Sequence, residues 1–404
     1  MDMKSRDRSS TLRMAYVVSL DLPGNRRAHA VQVMKNAQAW AKITRDFELV
    51  TNVSWGNHRR IDPERLAVDY GIMRPFSLHA LPLLGLESSS IRWLNSLFYR
   101  LAARRLARRR TELVYTRNTR FPGFSLKRRI PTLVEVHGPP GTATDQEALR
   151  PCLQDPLLLG LVTISEELAH RYQEWGTPPE KIIVAPDGVD LERFHFPLTR
   201  EEARQRLGLP LDRPLAVYVG HLYPGRGIEE ILAAARELGE VDFLLVGGMP
   251  NDLARWRQEV ADTALANVRF AGHVANDRVP TYLWAADVLL MPYGRHCPTS
   301  QWMSPMKMFE YMAASRPMVA TDLAALRTVL RHEENAWLVA ADDGKALAGG
   351  ILTVLTSPEL AGRLAATARR EVEAFSWDRR VGSILERIGL ASHAPDPEER
   401  PAKP

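Results

Sequence analysis

The chain of 404 residues carries 53 Lys and Arg against 48 Asp and Glu, with 45% hydrophobic, 25% charged and 7% aromatic residues. These are globular proportions at about twice the usual domain length, and they exclude a disordered, collagenous or disulfide-scaffold chain. Cys152 and Cys297 lie far apart and no Cys/His cluster has zinc spacing, so free thiols in a reducing cytosol and no structural metal are expected. No apolar run approaches the ~18 residues a membrane-spanning helix needs, and the charged start (Lys4, Arg6, Arg8) leads into no secretory segment. A cytoplasmic protein, soluble or membrane-peripheral, is the expectation. The net charge of +5 conceals an asymmetry: residues 1–150 hold 26 Lys and Arg against 13 Asp and Glu, and the remainder 27 against 35. Two halves of opposite sign point to different partners.

In chain order, residues 1–11 read as a disordered tail. Leu12–Leu20 is a short apolar run closed by Leu22-Pro-Gly-Asn25, and Ala30–Ile43 has helical periodicity, so the chain opens as strand, tight loop, helix. Further strands are predicted at Phe47–Val53, Glu112–Tyr115, Thr132–Val136, Leu161–Ile164 and Ile182–Ala185, with helices at Ile91–Arg110 and Glu166–Trp175. A second series follows the proline-punctuated stretch 196–214. It has strands at Leu215–Gly220, Val241–Val246, Val268–Ala271, Val288–Met291 and Pro317–Ala320, and helices at Ile228–Leu238, Met306–Ala314 and Ala324–Leu330. Helical patterns at Ala346–Leu355, Glu359–Ala374 and Trp377–Ile388 precede a Pro/Glu/Lys tail, 391–404, expected to be disordered. Such alternation predicts an α/β chain of two doubly wound, Rossmann-like domains, 12–190 and 191–370, with 371–390 as a closing helix. Ligands bind at the carboxyl ends of strands in such folds, so a cleft with one ligand per domain is expected.

Several loops carry residues suited to chemistry. Gly220-His-Leu-Tyr-Pro-Gly-Arg-Gly227 joins a strand to a helix; glycines admit a close ligand, the helix start offers unpaired N–H groups, and Arg226 adds a forked cation. It reads as a phosphate cradle, against the alternative of a turn with a solvated arginine. Ser304-Pro305 is a helix-start signal, with Ser304 able to cap and Pro305 tolerated at the first helical position. Glu310 then falls in the second turn, where a carboxylate can accept two sugar hydroxyls or serve as an ordinary helix charge; Lys307 has the same surface alternative. Glu135-Val-His137-Gly-Pro-Pro-Gly141 ends a strand in a turn that projects His137 toward the cleft, able to donate to a sugar hydroxyl or to developing negative charge, against the alternative of a structural histidine. Arg100, Arg104, Arg105, Arg108, Arg109 and Arg110 crowd the end of a helix whose Leu94, Leu97 and Leu101 share a face. Arg105 and Arg108 fall on or beside that face, so the buried stripe should run out there. The arginines read as a solvated helix end, or as a surface for an anionic membrane or phosphorylated acceptor. Nucleic acid is not expected as a partner, since no aromatic interleaving or nucleic-acid motif accompanies the charge.

Together these segments resemble the GT-B-fold glycosyltransferases, in particular glycosyltransferase family 4. The strong markers are Tyr218-Val-Gly-His-Leu-Tyr-Pro-Gly-Arg-Gly227, Phe270-Ala-Gly-His-Val274, Ser304-Pro-Met-Lys-Met-Phe-Glu-Tyr-Met-Ala-Ala314 and Pro317-Met-Val-Ala-Thr-Asp322. Weaker ones are Thr163-Ile-Ser-Glu-Glu167, Pro186-Asp-Gly-Val-Asp190 and Glu334-Asn-Ala-Trp-Leu338. The resemblance implies that the second domain binds a UDP- or GDP-sugar and the first a glycan, lipid-linked or other cell-envelope acceptor, with retention at the transferred carbon and no metal. It implies Arg226 on the donor diphosphate, Glu310 on the ribose, the Val274 backbone on the base, and Ser304, Pro305, Met306 and Lys307 around phosphate and sugar. It further implies Gly220, His221, Gly24 and Asn25 near the donor phosphates, His137 near the transferred sugar, and a last helix that crosses back onto the first domain. This chain departs from the family pattern in three places. Trp302 stands where a second acid often lies eight residues before Glu310, His221 replaces a cation, and Gly24-Asn25 replaces Gly-Gly. These departures leave a non-catalytic nucleotide-sugar-binding protein as the alternative to an enzyme.

Overall fold

The computed structural model describes residues 12–83, 92–141 and 147–390; the two tails expected to be disordered lie outside these residues. The chain divides into two compact units, one of Met1–Asp187 with Trp377–Pro404, the other of Gly188–Ser376. Sequence reading put the first boundary at 190 and the return at 371. Within the second unit the Val189 amide donates to the Phe375 carbonyl at 3.0 Å and Val189 bridges Ser376, which ties both crossing strands of chain to that unit.

In the first unit, β1 (Arg13–Ser19), β2 (Asp46–Asn52), β3 (Ser77–Leu81), β4 (Leu113–Thr116), β5 (Thr132–Val136), β6 (Leu158–Thr163) and β7 (Ile182–Val184) form one parallel sheet in the order β3-β2-β1-β4-β5-β6-β7. The central strands are apolar on both faces because helices cover both. Helix α1 (Ala28–Ile43) buries not only Ala30, Val33, Met34, Ala37 and Trp40 but also Gln32, Asn36 and Gln38. It is enclosed on a second side by the closing helix Trp377–Arg387, which presents Trp377, Val381, Ile384 and Leu385 at helical spacing. Helices α2 (Trp55–His58) and α3 (Pro63–Tyr70), together with β3, went unpredicted; α3 buries only Leu66 and Tyr70, and β3 is a partly exposed edge strand.

Helix α4 (Arg92–Arg108) corrects the expected face. Its buried stripe is Phe98, Tyr99, Ala102, Ala103 and Leu106, while Leu97 and Leu101 are only partly buried. The stripe does not run out. Arg105 reaches inward to the buried Glu48 of β2 (Nη2–Oε2 3.1 Å), and Arg109 pairs with Asp46 (2.9 Å) and Glu48 (3.4 Å). Only Arg100, Arg104 and Arg108 of the expected patch, together with Arg110, are exposed.

The second unit repeats the plan. Strands β8 (Leu215–Val219), β9 (Asp242–Val246), β10 (Val268–Gly272), β11 (Val288–Met291), β12 (Met318–Thr321) and β13 (Trp337–Val339) form a parallel sheet ordered β10-β9-β8-β11-β12-β13. In chain order its helices are α5 (Arg200–Leu207), α6 (Ile228–Glu237), α7 (Pro250–Asp262), α8 (Val279–Trp284), α9 (Met306–Ala313), α10 (Ala324–Arg327), α11 (Gly344–Thr356) and α12 (Pro358–Glu371). Helices α5, α7 and α8 went unpredicted, as did β13; α7 buries only Trp256, α8 has just six residues, and α5 starts on a capping box of Thr199 and Glu202 in an otherwise charged segment. In each sheet the strand order reverses once, between β1 and β4 and between β8 and β11, and ligands sit at such switch points in open parallel sheets.

Candidate active site

The loops after β8 and β11 define the site of the second unit. After Val219 the chain runs through 220–227 into α6, which begins at Ile228 with no side-chain cap. Gly227 has φ +81°, and a Cβ there would lie 1.7 Å from the Pro292 carbonyl oxygen, so the turn admits only glycine. The Gly294 amide donates to the Gly225 carbonyl at 3.0 Å, joining this loop to the one after β11. Leu222 is pinned through its carbonyl by Trp256 Nε1 at 2.9 Å, and Tyr218 OH donates to the His221 carbonyl at 2.6 Å. The His221 ring stacks on Tyr223 with centroids 4.7 Å apart.

Helix α9 starts at Met306, with Pro305 as its N-cap and no side-chain cap. This corrects the expectation that Ser304 would cap and Pro305 open the helix; Ser304 is buried one residue before the cap. Uncapped first-turn amides therefore end two helices, α6 and α9, each entered from a switch-point strand. Tyr311 of α9 accepts from the Val219 amide at 2.8 Å, which fixes this helix to the end of β8.

Two cations share this corner. The Lys307 ammonium lies 3.9 Å from the Tyr218 ring centroid and 5.2 Å from that of Tyr293, and the Arg226 guanidinium lies 5.0 Å from the Tyr293 centroid. Lys307 Nζ is buried and has no hydrogen-bond partner among the described residues. Burial first, and then the Arg226 charge, push its pKa well below the ordinary lysine value. Gly220, at φ +149°, makes room for it, since a Cβ there would stand 2.6 Å from Nζ. Glu310 is 16% exposed on the next turn of α9, and Arg193, from the 3₁₀ turn Leu191–Phe194, stands 3.7 Å from its carboxylate. Val274 lies beyond β10, an edge strand, partly buried against the core of this unit. Tyr218, Tyr293 and Arg193 were not foreseen as site residues; no spacing signal links Arg193 to Glu310.

In the first unit, Gly24 (φ +89°) turns the loop after β1, and the Asn25 carbonyl accepts from Tyr70 OH at 2.9 Å. His137 follows β5, two strands from β1. Its Nε2 meets Glu135 Oε1, and Glu135 is buried to 1% exposure. Glu135 is fully engaged: Oε1 also accepts from Gln32 Nε2 at 2.8 Å, and Oε2 from Asn36 Nδ2 at 3.1 Å and from Tyr115 OH. Arg380 Nη2 stands 3.1 Å from Oε1 as an ion pair, without the alignment of a hydrogen bond. Burial alone would raise the Glu135 pKa, but Arg380 and His137 together hold it well below the usual carboxylate range. Burial and then Arg117 lower the pKa of His137, and the same two causes push neighbouring His29 down to about 3. At neutral pH, then, Glu135 is a carboxylate and His137 a neutral imidazole, a combination in which Nε2–H donates to Oε1. Donor atoms of Glu135, His137 and Asp187 lie within 4.8 Å of one another, close enough for a metal ion, but the lone pairs of Glu135 are already committed to five protein groups.

Comparison with known proteins bears on family and fold. Residues 55–193 match the family model described as Glycosyltransferase Family 4, and residues 213–357 the one described as Glycosyl transferases group 1. A D-inositol 3-phosphate glycosyltransferase of Geodermatophilus obscurus is 31% identical over 234 residues, 55% of this chain and 50% of the relative. The chain thus spans about half the length of that relative; a protein of the same name from Xylanimonas cellulosilytica is 28% identical over 67% of this chain and 63% of its own. Among solved structures, HepE of Anabaena in complex with UDP and glucose superposes with a TM-score of 0.68 at 16% identity, covering 93% of this chain and 99% of that one. Sucrose-phosphate synthase of Thermosynechococcus elongatus gives 0.70 at 22% identity, with 93% and 99% covered. With both units matched by models of one group and the two-sheet fold shared throughout, the chain belongs to the family 4 glycosyltransferases of GT-B fold.

Proposed function

We propose that the chain transfers a sugar, with retention, from a nucleoside diphosphate sugar held by the second unit to a hydroxyl of an acceptor held by the first. The observation that carries this reading is the buried Lys307 ammonium, unpartnered beside Arg226 and the uncapped starts of α6 and α9. Burying a cation with no acceptor is costly, and a ligand that brings anionic oxygens offsets that cost. A diphosphate would bring such oxygens to the two cations and the two helix starts; HepE, bound to UDP-glucose in one of its structures, has the same fold.

Cleavage of the anomeric C–O bond leaves its electron pair on the diphosphate. Arg226, Lys307 and the helix amides stabilise that charge as it develops. Glu310, steadied by Arg193, accepts the ribose hydroxyls. The acceptor oxygen forms the new bond on the face from which the diphosphate departs, and its proton passes to the departing phosphate oxygen. His137, neutral with Nδ1 as acceptor, orients the acceptor molecule through a hydrogen bond from a second of its hydroxyls, so the attacking hydroxyl keeps its one proton for the phosphate oxygen. The cationic surplus of residues 1–150, and relatives named for inositol 3-phosphate, favour an acceptor that bears phosphate, in the class of glycan or lipid-linked envelope precursors.

A panel of UDP- and GDP-sugars with acceptor extracts, read as nucleoside diphosphate release and product mass, tests the proposal. Arg226→Ala should lower turnover about a hundredfold or more while leaving the melting temperature near wild type. Binding of donors without turnover by the wild-type protein would favour a non-catalytic nucleotide-sugar-binding protein instead.

A further inference from the structure

We infer that Arg380, on the closing helix of the chain, is a positioning residue for this reaction: it holds the buried Glu135 carboxylate in place, and Glu135 in turn fixes the tautomer and orientation of His137. The inference rests on the proposed role of His137.

Arg380 is 5% exposed, and every nitrogen of its guanidinium is directed. Nε donates to the Pro186 carbonyl at 2.9 Å and lies 3.3 Å from that of Ala185, Nη1 donates to Tyr115 OH at 3.3 Å, and Nη2 faces Glu135 Oε1 at 3.1 Å. Two backbone carbonyls and a phenol thus lock the fork before it meets the carboxylate. A buried ion pair of this kind is seldom needed for stability, since apolar residues of the same volume do as well or better. What distinguishes this pair is where its carboxylate points: the remaining contacts of Oε1 include the ring of His137, at the strand ends beside the switch point of the first sheet.

Among the described residues, charged and polar groups reach the Glu135–His137 pair from several elements. Helix α1 contributes His29, Gln32 and Asn36; β1 contributes Tyr16; β4 and its end contribute Tyr115 and Arg117; Asp187 follows β7; Arg380 comes from the closing helix. Arg117 cannot replace Arg380, because its Nη1 is engaged by Gln32 Oε1 at 2.6 Å. Without Arg380 the pair loses the largest charge that favours the carboxylate, and it takes up a proton at higher pH than wild type does. If Glu135 takes it, the carboxyl donates to Nε2 and the histidine proton moves to Nδ1; if His137 takes it, the ring is an imidazolium. Either way the Nδ1 lone pair that receives the acceptor hydroxyl is lost.

The full-length chain carrying Arg380→Met or Arg380→Lys tests this in two ways. Ring ¹⁵N shifts of His137, assigned by difference from His137→Asn, need no substrate. Wild type and R380K should show neutral, Nε2-protonated imidazole near pH 7. R380M should show Nδ1 protonated, with the apparent pKa of the pair raised by about one unit or more. In acceptor-dependent turnover, R380M should lower kcat about tenfold or more with donor KM unchanged, and should cost nothing further in a His137→Ala background. Unchanged His137 signals in folded R380M, or the same loss of kcat with and without His137, would overturn the inference. Should R380M melt below the assay temperature, Glu135→Gln poses the question from the other side: its amide donates to Nε2 and should reverse the tautomer, and an unreversed tautomer sinks the relay. If wild type transfers no sugar, the proposed function fails while the ¹⁵N result still decides the positioning role.

Discussion

Lys307→Met separates stability from function in the second unit. The ammonium is buried against Tyr218 and Tyr293 with no hydrogen-bond partner, and its depressed pKa records the cost of keeping a charge there. Methionine has a similar length and no charge, so it removes an unsatisfied buried polar group at little packing cost. The gain should be about 1–3 kcal/mol for the unliganded protein, a rise of roughly 2–8 °C in melting temperature. The gain has a pH dependence whose sign follows from the shift. A lysine with a folded pKa below its unfolded value weakens the fold most at low and neutral pH, and the penalty fades as pH rises toward the unfolded pKa, so the advantage of K307M should shrink in alkaline buffer. Donor affinity should move the other way: loss of a charge-assisted contact to phosphate weakens nucleoside diphosphate binding by about 1.5–3 kcal/mol, roughly 10- to 150-fold. Calorimetry in buffers of different ionisation enthalpy should show proton uptake on binding by wild type and little by K307M. A variant that melts lower than wild type, or binds UDP and GDP as tightly, would refute the reasoning.

Three further outcomes follow from the geometry. Arg105→Met should destabilise by about 1–2 kcal/mol because it strips a partner from the buried Glu48, whereas the triple change of Arg100, Arg104 and Arg108 to Gln should stay within about 0.5 kcal/mol in urea melts. Only that triple variant should lose any flotation with anionic vesicles. His29 has a folded pKa of about 3, so the unfolded chain binds a proton there that the native chain does not; stability should fall as pH drops below about 6.5, and His29→Asn should recover up to about 2 kcal/mol at pH 5 in acid denaturation. Gly220→Ala should displace the Lys307 ammonium and weaken donor binding about tenfold or more by titration calorimetry, with a stability cost of about 1–3 kcal/mol from the unfavourable φ.

The strands were legible where both faces are buried: β1, β8 and β11 read as nearly continuous apolar runs, and β2 and β5 as mostly apolar runs interrupted by Glu48 and Glu135. β3 and β13 were not, since a five-residue edge strand and a three-residue strand carry too little pattern to register. Helices α5 and α7 stayed hidden for the opposite reason: each buries so little that no apolar stripe shows. The projection of α4 failed instructively. Arg105 does fall on an inward face, but the interior there offers a carboxylate, Glu48, and a wheel drawn from α4 alone contains no information about β2.

The same limit divides the site. Arg226, Lys307 and Glu310 were readable because they belong to local motifs in which glycines or a helix start accompany the charge. Arg193 with Glu310, and Arg380 with Glu135 and His137, were not, because each pairing joins segments whose proximity only the fold creates. Net charge is a poor guide for a related reason. Residues 151–404 are net acidic, with 27 Lys and Arg against 35 Asp and Glu, yet they supply the corner best suited to a diphosphate. Two cations under tyrosine rings act through a short distance and a low local dielectric, where one ion outweighs many solvated surface charges. Part of the basic surplus of residues 1–150 is conversely paired within the fold, Arg105 and Arg109 with the buried Glu48, and Arg13 and Arg109 with the half-exposed Asp46. What remains for a phosphate-bearing acceptor is therefore the exposed remainder, Arg100, Arg104 and Arg108 among it, and the charge that matters is the charge left over once the buried carboxylates have been met.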